Sequence, residues 1–226
     1  MADYINKNIL SQAYIHVEPT TVDIDSSNEF RNFKKHIESF VSSRTSFYLG
    51  DDVSIQIDFE EGSLIARITV IGTLVATGIC NYPDFREGLK YLYQDSKRLA
   101  EYIVSEVQFN TGAKNQNVIR LEARTGVVGA LNKISIQIEN IKNSSQYGQD
   151  VYELTRKLDK VQEDLADLIV NLNNEEDIKV VKNGLFSTAN NIPLRPKEPK
   201  DKINSLEGIL LYQRRREHLI KTLKVN

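Results

Sequence analysis

Residues 53–71 read VSIQIDFEEGSLIARITVI. Val53, Ile55, Ile57 and Phe59 alternate with Ser54, Gln56, Asp58 and Glu60, and Leu64, Ala66, Ile68 and Val70 alternate on the return. A period of two puts successive side chains on opposite faces of a strand, so the stretch predicts a β-hairpin with one apolar and one polar face. Glu61-Gly62 lies between the runs, where glycine can take the positive φ of a tight turn. With Glu60 opposite Ser63, the expected pairs are Phe59–Leu64, Ile57–Ala66, Ile55–Ile68 and Val53–Val70. A slip of one residue would turn one strand's apolar set into water.

Before the hairpin, Ala13, Ile15 and Val17 alternate with Tyr14 and His16 and predict a short strand. Ser26 and Glu29 have capping-box spacing, and Phe30, Phe33, Ile37, Phe40 and Val41 give the helix that follows a buried face. After the hairpin, Asn81 and Pro83 suit a helix start, and Phe85, Leu89, Leu92, Leu99, Ile103 and Val107 form its apolar stripe until Thr111-Gly112. Val118, Leu121, Val128, Leu131, Ile134, Ile138 and Ile141 read as one further helix over 118–142, with Gly126 and Gly129 inside it. Residues 143–148 form a turn.

The next helix has the strongest periodic signal. Val151, Leu154, Leu158, Val161, Leu165, Leu168 and Leu172 recur in steps of three and four, a heptad seam with apolar a and d positions. Such a narrow stripe calls for a slender partner, either the preceding helix as an antiparallel neighbour or a second copy of the chain. Ile178, Val181 and Leu185 mark a shorter helix, and residues 190–199 hold Pro193, Pro196 and Pro199. A last helix begins near Ser205, with Leu206, Ile209, Leu210, Ile220 and Leu223 as its apolar side. The predicted class is α+β: a small antiparallel sheet centred on the hairpin, packed by helices and followed by a long helical half. The expected divisions are an α+β domain over 1–112, a helical hairpin or coiled-coil region over 113–189, a proline-rich linker over 190–202 and a C-terminal helix over 203–226.

Composition bounds the function. Lys and Arg total 29 against 31 Asp and Glu, a net charge of -2 over 226 residues, which argues against general nucleic-acid binding. One cysteine excludes an intrachain disulfide and a Cys-based zinc site, and the three histidines are far apart in sequence. No cofactor or metal is expected. Residues 1–8 carry no export signal, and the apolar stretch 68–82 is shorter than the roughly 20 residues of a membrane helix. These features predict a cytoplasmic protein in which Cys80, beside Ile79 and Tyr82, is a buried packing thiol.

No catalytic signature stands out. Gly126-Val-Val-Gly129 lacks the Lys-Ser/Thr of a phosphate-binding loop and reads as helix packing. Asp51, Asp52, Asp58, Glu60 and Glu61 cluster at the hairpin, the oxygen donors that a metal-dependent hydrolase or nuclease would need, with a solvated strand face as the plainer reading. Arg214, Arg215 and Arg216 form a basic run whose members point in different directions on a helix, which suits a solvated helix better than a phosphate-binding stripe, with a contact to nucleic acid or an acidic partner as the alternative. Tyr82, Tyr91, Tyr93 and Tyr102 add aromatic surface. The leading expectation is a non-enzymatic protein–protein interaction module, an adaptor or a subunit of a larger assembly. It would use the 151–172 seam toward a protein partner or a second copy. A metal-dependent hydrolase using the hairpin carboxylates, and a membrane-active effector inserting 68–82, are the alternatives.

Overall fold

A computed structural model describes residues 8–60, 63–200 and 203–225. Its first half is built around strand β1 (Ile9–Val17), where Ala13, Ile15 and Val17 are fully buried and Tyr14 and His16 face the other way. Helix α1 (Ser27–Leu49), the hairpin β2 (Val53–Glu60) and β3 (Leu64–Gly72), helix α2 (Phe85–Asn110) and strand β4 (Val118–Arg124) follow. The strands form one four-stranded sheet in the order β2-β3-β1-β4, with every neighbouring pair antiparallel. This β-α-β-β-α-β order is the split βαβ connectivity of ferredoxin-like folds. The architecture is α+β, a four-stranded antiparallel sheet packed by helices and followed by a helical segment.

The helical part begins with α3 (Gly126–Gln146) and continues through α4 (Val151–Asn171), α5 (Glu175–Asn190) and α6 (Leu206–Leu223). The chain divides into two compact units. The first runs through Pro83 and again from Glu87 to Gly129; the second takes Asp84–Arg86 and the chain from Ala130 onward.

Several expectations need correction. Residues 118–124 are a strand, not the start of a helix, because Tyr14 pairs with Glu122 and Ile15 with Leu121 along the free edge of β1. The sheet's unit therefore extends past residue 112, to Gly129. The hairpin register is displaced by two residues: Phe59 faces Ala66, Ile57 faces Ile68, Ile55 faces Val70 and Val53 faces Gly72. A shift of two keeps every side chain on its face, so hydrophobic alternation resolves the face and not the pairing. The expected Glu61-Gly62 turn lies outside the described residues.

Two helix starts also differ. Ser26 is the N-cap of α1 but makes no side-chain cap bond, while Glu29 reaches back to the Asp23 amide at 3.3 Å. Asn81 lies in a 3₁₀ turn (Ile79–Asn81), and the first turn of α2 is bonded instead by Asp84, whose Oδ1 accepts the Arg86 amide at 3.0 Å. Gly126 explains itself at the β4–α3 junction. Its φ is +45°, and a Cβ there would lie 1.9 Å from the Ile9 carbonyl oxygen of β1. A Cβ on Gly129 would lie 2.2 Å from Thr125 Oγ1, so both glycines answer close packing.

In the second unit, α3 and α4 are antiparallel neighbours across a short turn. Lys133 reaches Asp164 at 2.8 Å and Gln137 reaches it at 3.0 Å. Ile134, Ile138 and Ile141 from α3, Leu158 and Leu165 from α4, and Leu219 and Leu223 from α6 are all fully buried. The proline-rich segment after α5 is irregular but packed, with Ile192 and Pro196 buried and the Lys197 amide donating to Ser145 O at 2.7 Å. The inward face of α6 runs through Ile209, Tyr212, Leu219 and Leu223. Leu206 and Leu210, assigned to that side from sequence, face solvent.

Tyr212 is the largest side chain of this core, and its hydroxyl donates to Pro193 O at 2.8 Å. Burial pushes its phenol up to about 12 from 10.0, against smaller downward pulls from Ser145 and Arg216. The folded state holds this proton through a pH window in which the unfolded chain has lost it. The associated stability is complete below pH about 10 and falls as pH rises through about 12. In alkaline titrations followed by circular dichroism, the protein should lose about 2–3 kcal/mol more than Tyr212→Phe over that window. Parallel profiles would disprove the assignment.

The sheet yields a second expectation. Ile68 is fully buried, its partner Ile57 on the edge strand is half-buried, and Gln56 is exposed. Aspartate at these positions should destabilise in the order Ile68, Ile57, Gln56. The first should cost more than about 4 kcal/mol, and the last should stay within about 0.5 kcal/mol in urea unfolding.

Candidate functional site

The heptad seam is internal. Val151, Leu154, Leu158, Val161, Leu165, Leu168 and Leu172 are all buried, Leu172 just past the end of α4, and α4 packs against α6. The slender partner is therefore supplied by the chain itself. Leu158→Ala combined with Leu165→Ala should lower stability by about 4–10 kcal/mol in total, on the basis of 2–5 kcal/mol per buried leucine. The mass in size-exclusion chromatography with light scattering should be unchanged while the protein remains folded. A fall in mass at full stability would place the seam between copies.

The basic run is largely structural. Arg215 Nε lies 3.0 Å from Asp159 of α4. Arg216 donates to the carbonyls of Ile192 and Asn190 at 2.7 and 3.1 Å, a cation at the C-terminal end of α5 where the helix dipole favours it. Arg214 remains on the outer side, beside Leu206, Leu210 and Leu211.

The hairpin carboxylates do not gather into a donor set. Asp58 stands opposite Arg67 in the ladder, Glu60 pairs with Arg67 at 2.8 Å, and Asp51 accepts from Ser46. Glu61 lies outside the described residues. Among the described residues no group of three or more His, Cys, Asp and Glu side chains is placed to hold a metal ion. The polar face of the sheet is an ionic lattice. Arg120 and Arg124 both engage Glu122, Arg124 also reaches Gln12 at 3.2 Å, and Arg67 and Arg120 flank the Tyr14 ring at 5.9 and 5.3 Å. The guanidinium groups of Arg67, Arg120 and Arg124 are engaged at the carboxylates of Glu60 and Glu122.

His16 bonds Ser63 at 2.8 Å and His36 bonds Glu106 at 2.7 Å, so these two imidazoles sit in separate local pairs. Cys80 is exposed, against the expectation of a packing thiol: the 3₁₀ turn buries Ile79 and turns its neighbour outward. The stretch 68–82 gives Ile68, Val70, Leu74 and Ile79 to the core. Among the described residues no helix is long and apolar enough to cross a membrane.

What the first unit does present is aromatic. Phe40, Arg44, Phe47 and Tyr48 follow one another at positions i, i+4, i+7 and i+8 along α1 and so share a face beside its buried stripe. Phe47 is 76% exposed and meets Tyr48 edge-on at 5.0 Å between ring centroids. Tyr48 stacks on Tyr102 of α2 at 6.0 Å, and Tyr102 is 48% exposed. The Arg44 guanidinium lies 5.4 Å from the Phe40 ring and 5.8 Å from Tyr102. Phe40, assigned to the core from sequence, is half-buried in this cluster. Burial first, and the hydrogen bond to Tyr102 second, hold the Tyr48 phenol above its ordinary range.

Of this patch only Tyr102 stood out in the sequence as surface. Arg44, Phe47 and Tyr48 were legible only as a second stripe flanking the buried one. No protein-family model, no curated protein and no solved structure matches this chain.

Proposed function

We propose that the protein is a non-enzymatic protein-interaction module, a subunit or adaptor in a larger assembly, and that it docks through the Phe47–Tyr48–Tyr102 surface around Arg44. The observation that supports this reading is the exposed aromatic cluster. Tyrosine, phenylalanine and arginine are the residues enriched where protein partners bury surface, and an isolated chain gains nothing by leaving such rings in water. Arg44 has cation–π contacts to two rings and no carboxylate partner among the described residues. The partner surface it fits is apolar and edged with carboxylates. A cytosolic setting suits the exposed thiol of Cys80.

The test places a photo-crosslinking phenylalanine analogue at position 47 and, separately, at Val170, which is 80% exposed on α4. Irradiation in cells should give a discrete protein adduct at position 47 and none at 170. Arg44→Glu should reduce the adduct at least tenfold without changing the melting temperature. Equal adducts at both positions, or none at 47, would refute the reading. An adduct of the chain with itself would identify the partner as a second copy.

A further inference from the structure

Helix α6 carries a second apolar face. Its inward side buries Gly208, Ile209, Tyr212, Leu219 and Leu223. At about 100° of rotation per residue, positions 206, 207, 210, 211 and 214 fall on the opposite side of the helix. Leu206, Glu207, Leu210, Leu211 and Arg214 there line one shallow groove of about 340 Å³ in the second unit. Leu206 is 74% exposed and Leu210 is 47% exposed. The solvent side of a surface helix is ordinarily polar, so the fold of one chain gives no reason for three leucines to share this face.

The charges that bracket the leucines have opposite sign. Glu207 and Arg214 are both exposed, and neither has an ion pair or a side-chain hydrogen bond among the described residues. Their neighbours differ in this respect. Arg215 is held by Asp159, Arg216 by carbonyls at the end of α5, and Glu217 pairs with Lys221 at 3.0 Å. Glu207 and Arg214 are seven residues apart, beyond the three- or four-residue spacing at which side chains pair along one helix.

The arrangement is complementary to itself. A two-fold axis between positions 210 and 211 relates Glu207 of one helix to Arg214 of an antiparallel copy, and Leu210 of one to Leu211 of the other. Leucines then meet leucines at the centre, and each Glu207 stands opposite an Arg214, once on either side of the axis. A parallel pairing would set Glu207 against Glu207 and Arg214 against Arg214. An unrelated protein would have to supply the same order of carboxylate, apolar and cationic groups, which a second copy has by symmetry.

We infer that the outer face of α6 is a homodimer contact. Two copies of the chain pair antiparallel through Leu206, Leu210 and Leu211, locked by reciprocal Glu207–Arg214 ion pairs. One helix face covers less than the roughly 800 Å² per subunit of standard interfaces, so the dimer is weak, with Kd on the order of 10–100 µM. The contact belongs to a different unit from the aromatic docking surface and does not rest on the function proposed for that surface.

Sedimentation equilibrium of the full chain between about 5 µM and about 500 µM spans that Kd and tests the contact. The mass should rise from monomer toward dimer across this range. Leu210→Glu should hold the chain monomeric throughout, with its melting temperature at the lowest concentration unchanged. Glu207→Arg and Arg214→Glu should each weaken self-association at least tenfold, because each replaces both ion pairs by like-charge contacts. An equimolar mixture of these two variants should associate again, since every arginine of one then faces a glutamate of the other. Arg44→Glu should leave the dimer intact. A wild type that is monomeric at every concentration would overturn the inference. So would a dimer that survives Leu210→Glu, a dimer lost in Arg44→Glu, or a variant mixture that stays monomeric. A monomeric wild type that crosslinks to another protein from position 210 in cells would assign the face to that protein and equally overturn the inference.

Discussion

The first unit depends on β1 having a neighbour along both edges. β1 pairs with β3 on one side and β4 on the other, so segments more than a hundred residues apart, such as Tyr14 and Glu122, must meet before the sheet exists. An unpaired edge of β1 would leave a row of buried backbone donors and acceptors without partners, which is what forces 118–124 into strand geometry despite its helical-looking spacing. The same strand sets the β4–α3 junction, because only a glycine at position 126 allows the helix to start against the Ile9 carbonyl. With the helix-facing side of β1 filled by Ala13, Ile15 and Val17, the open side is left to Tyr14, His16 and their ionic neighbours.

The second unit solves a different problem, the burial of a long leucine seam. The chain answers it with its own C-terminal segments. In the stretch after α5 the Pro193 carbonyl accepts the Tyr212 hydroxyl, and Arg216 caps the end of α5, which fixes α6 along α4. Two of three consecutive arginines are thus part of the packing. A heptad repeat states that a helix needs a narrow apolar neighbour; it does not state whether that neighbour belongs to the same chain.

Surface chemistry follows from what these constraints leave over. The aromatic stripe of α1 lies beside its buried stripe, where the rings of Phe47, Tyr48 and Tyr102 pack on one another and remain wet. This surface is compatible with recognition of another molecule through apolar area and a cation.

The sequence alone determined the secondary-structure type and buried face of several strongly periodic segments: the hairpin's apolar faces, the seven buried seam positions and the helix at Phe85, along with the start of the last helix near Ser205. Local periodicity is enough there, because a stripe of period 2 or 3.6 has one face that can be buried. The tertiary structure alone decided the hairpin register, since a two-residue shift preserves every face, and the strand at 118–124, since its edge partner lies far away in sequence. It decided that the seam is covered by α6, that Cys80 turns outward, and that Leu206 and Leu210 face water while Tyr212 does not. The aromatic surface belongs to the same group: it draws on residues from two helices, and only packing brings Tyr48 to Tyr102.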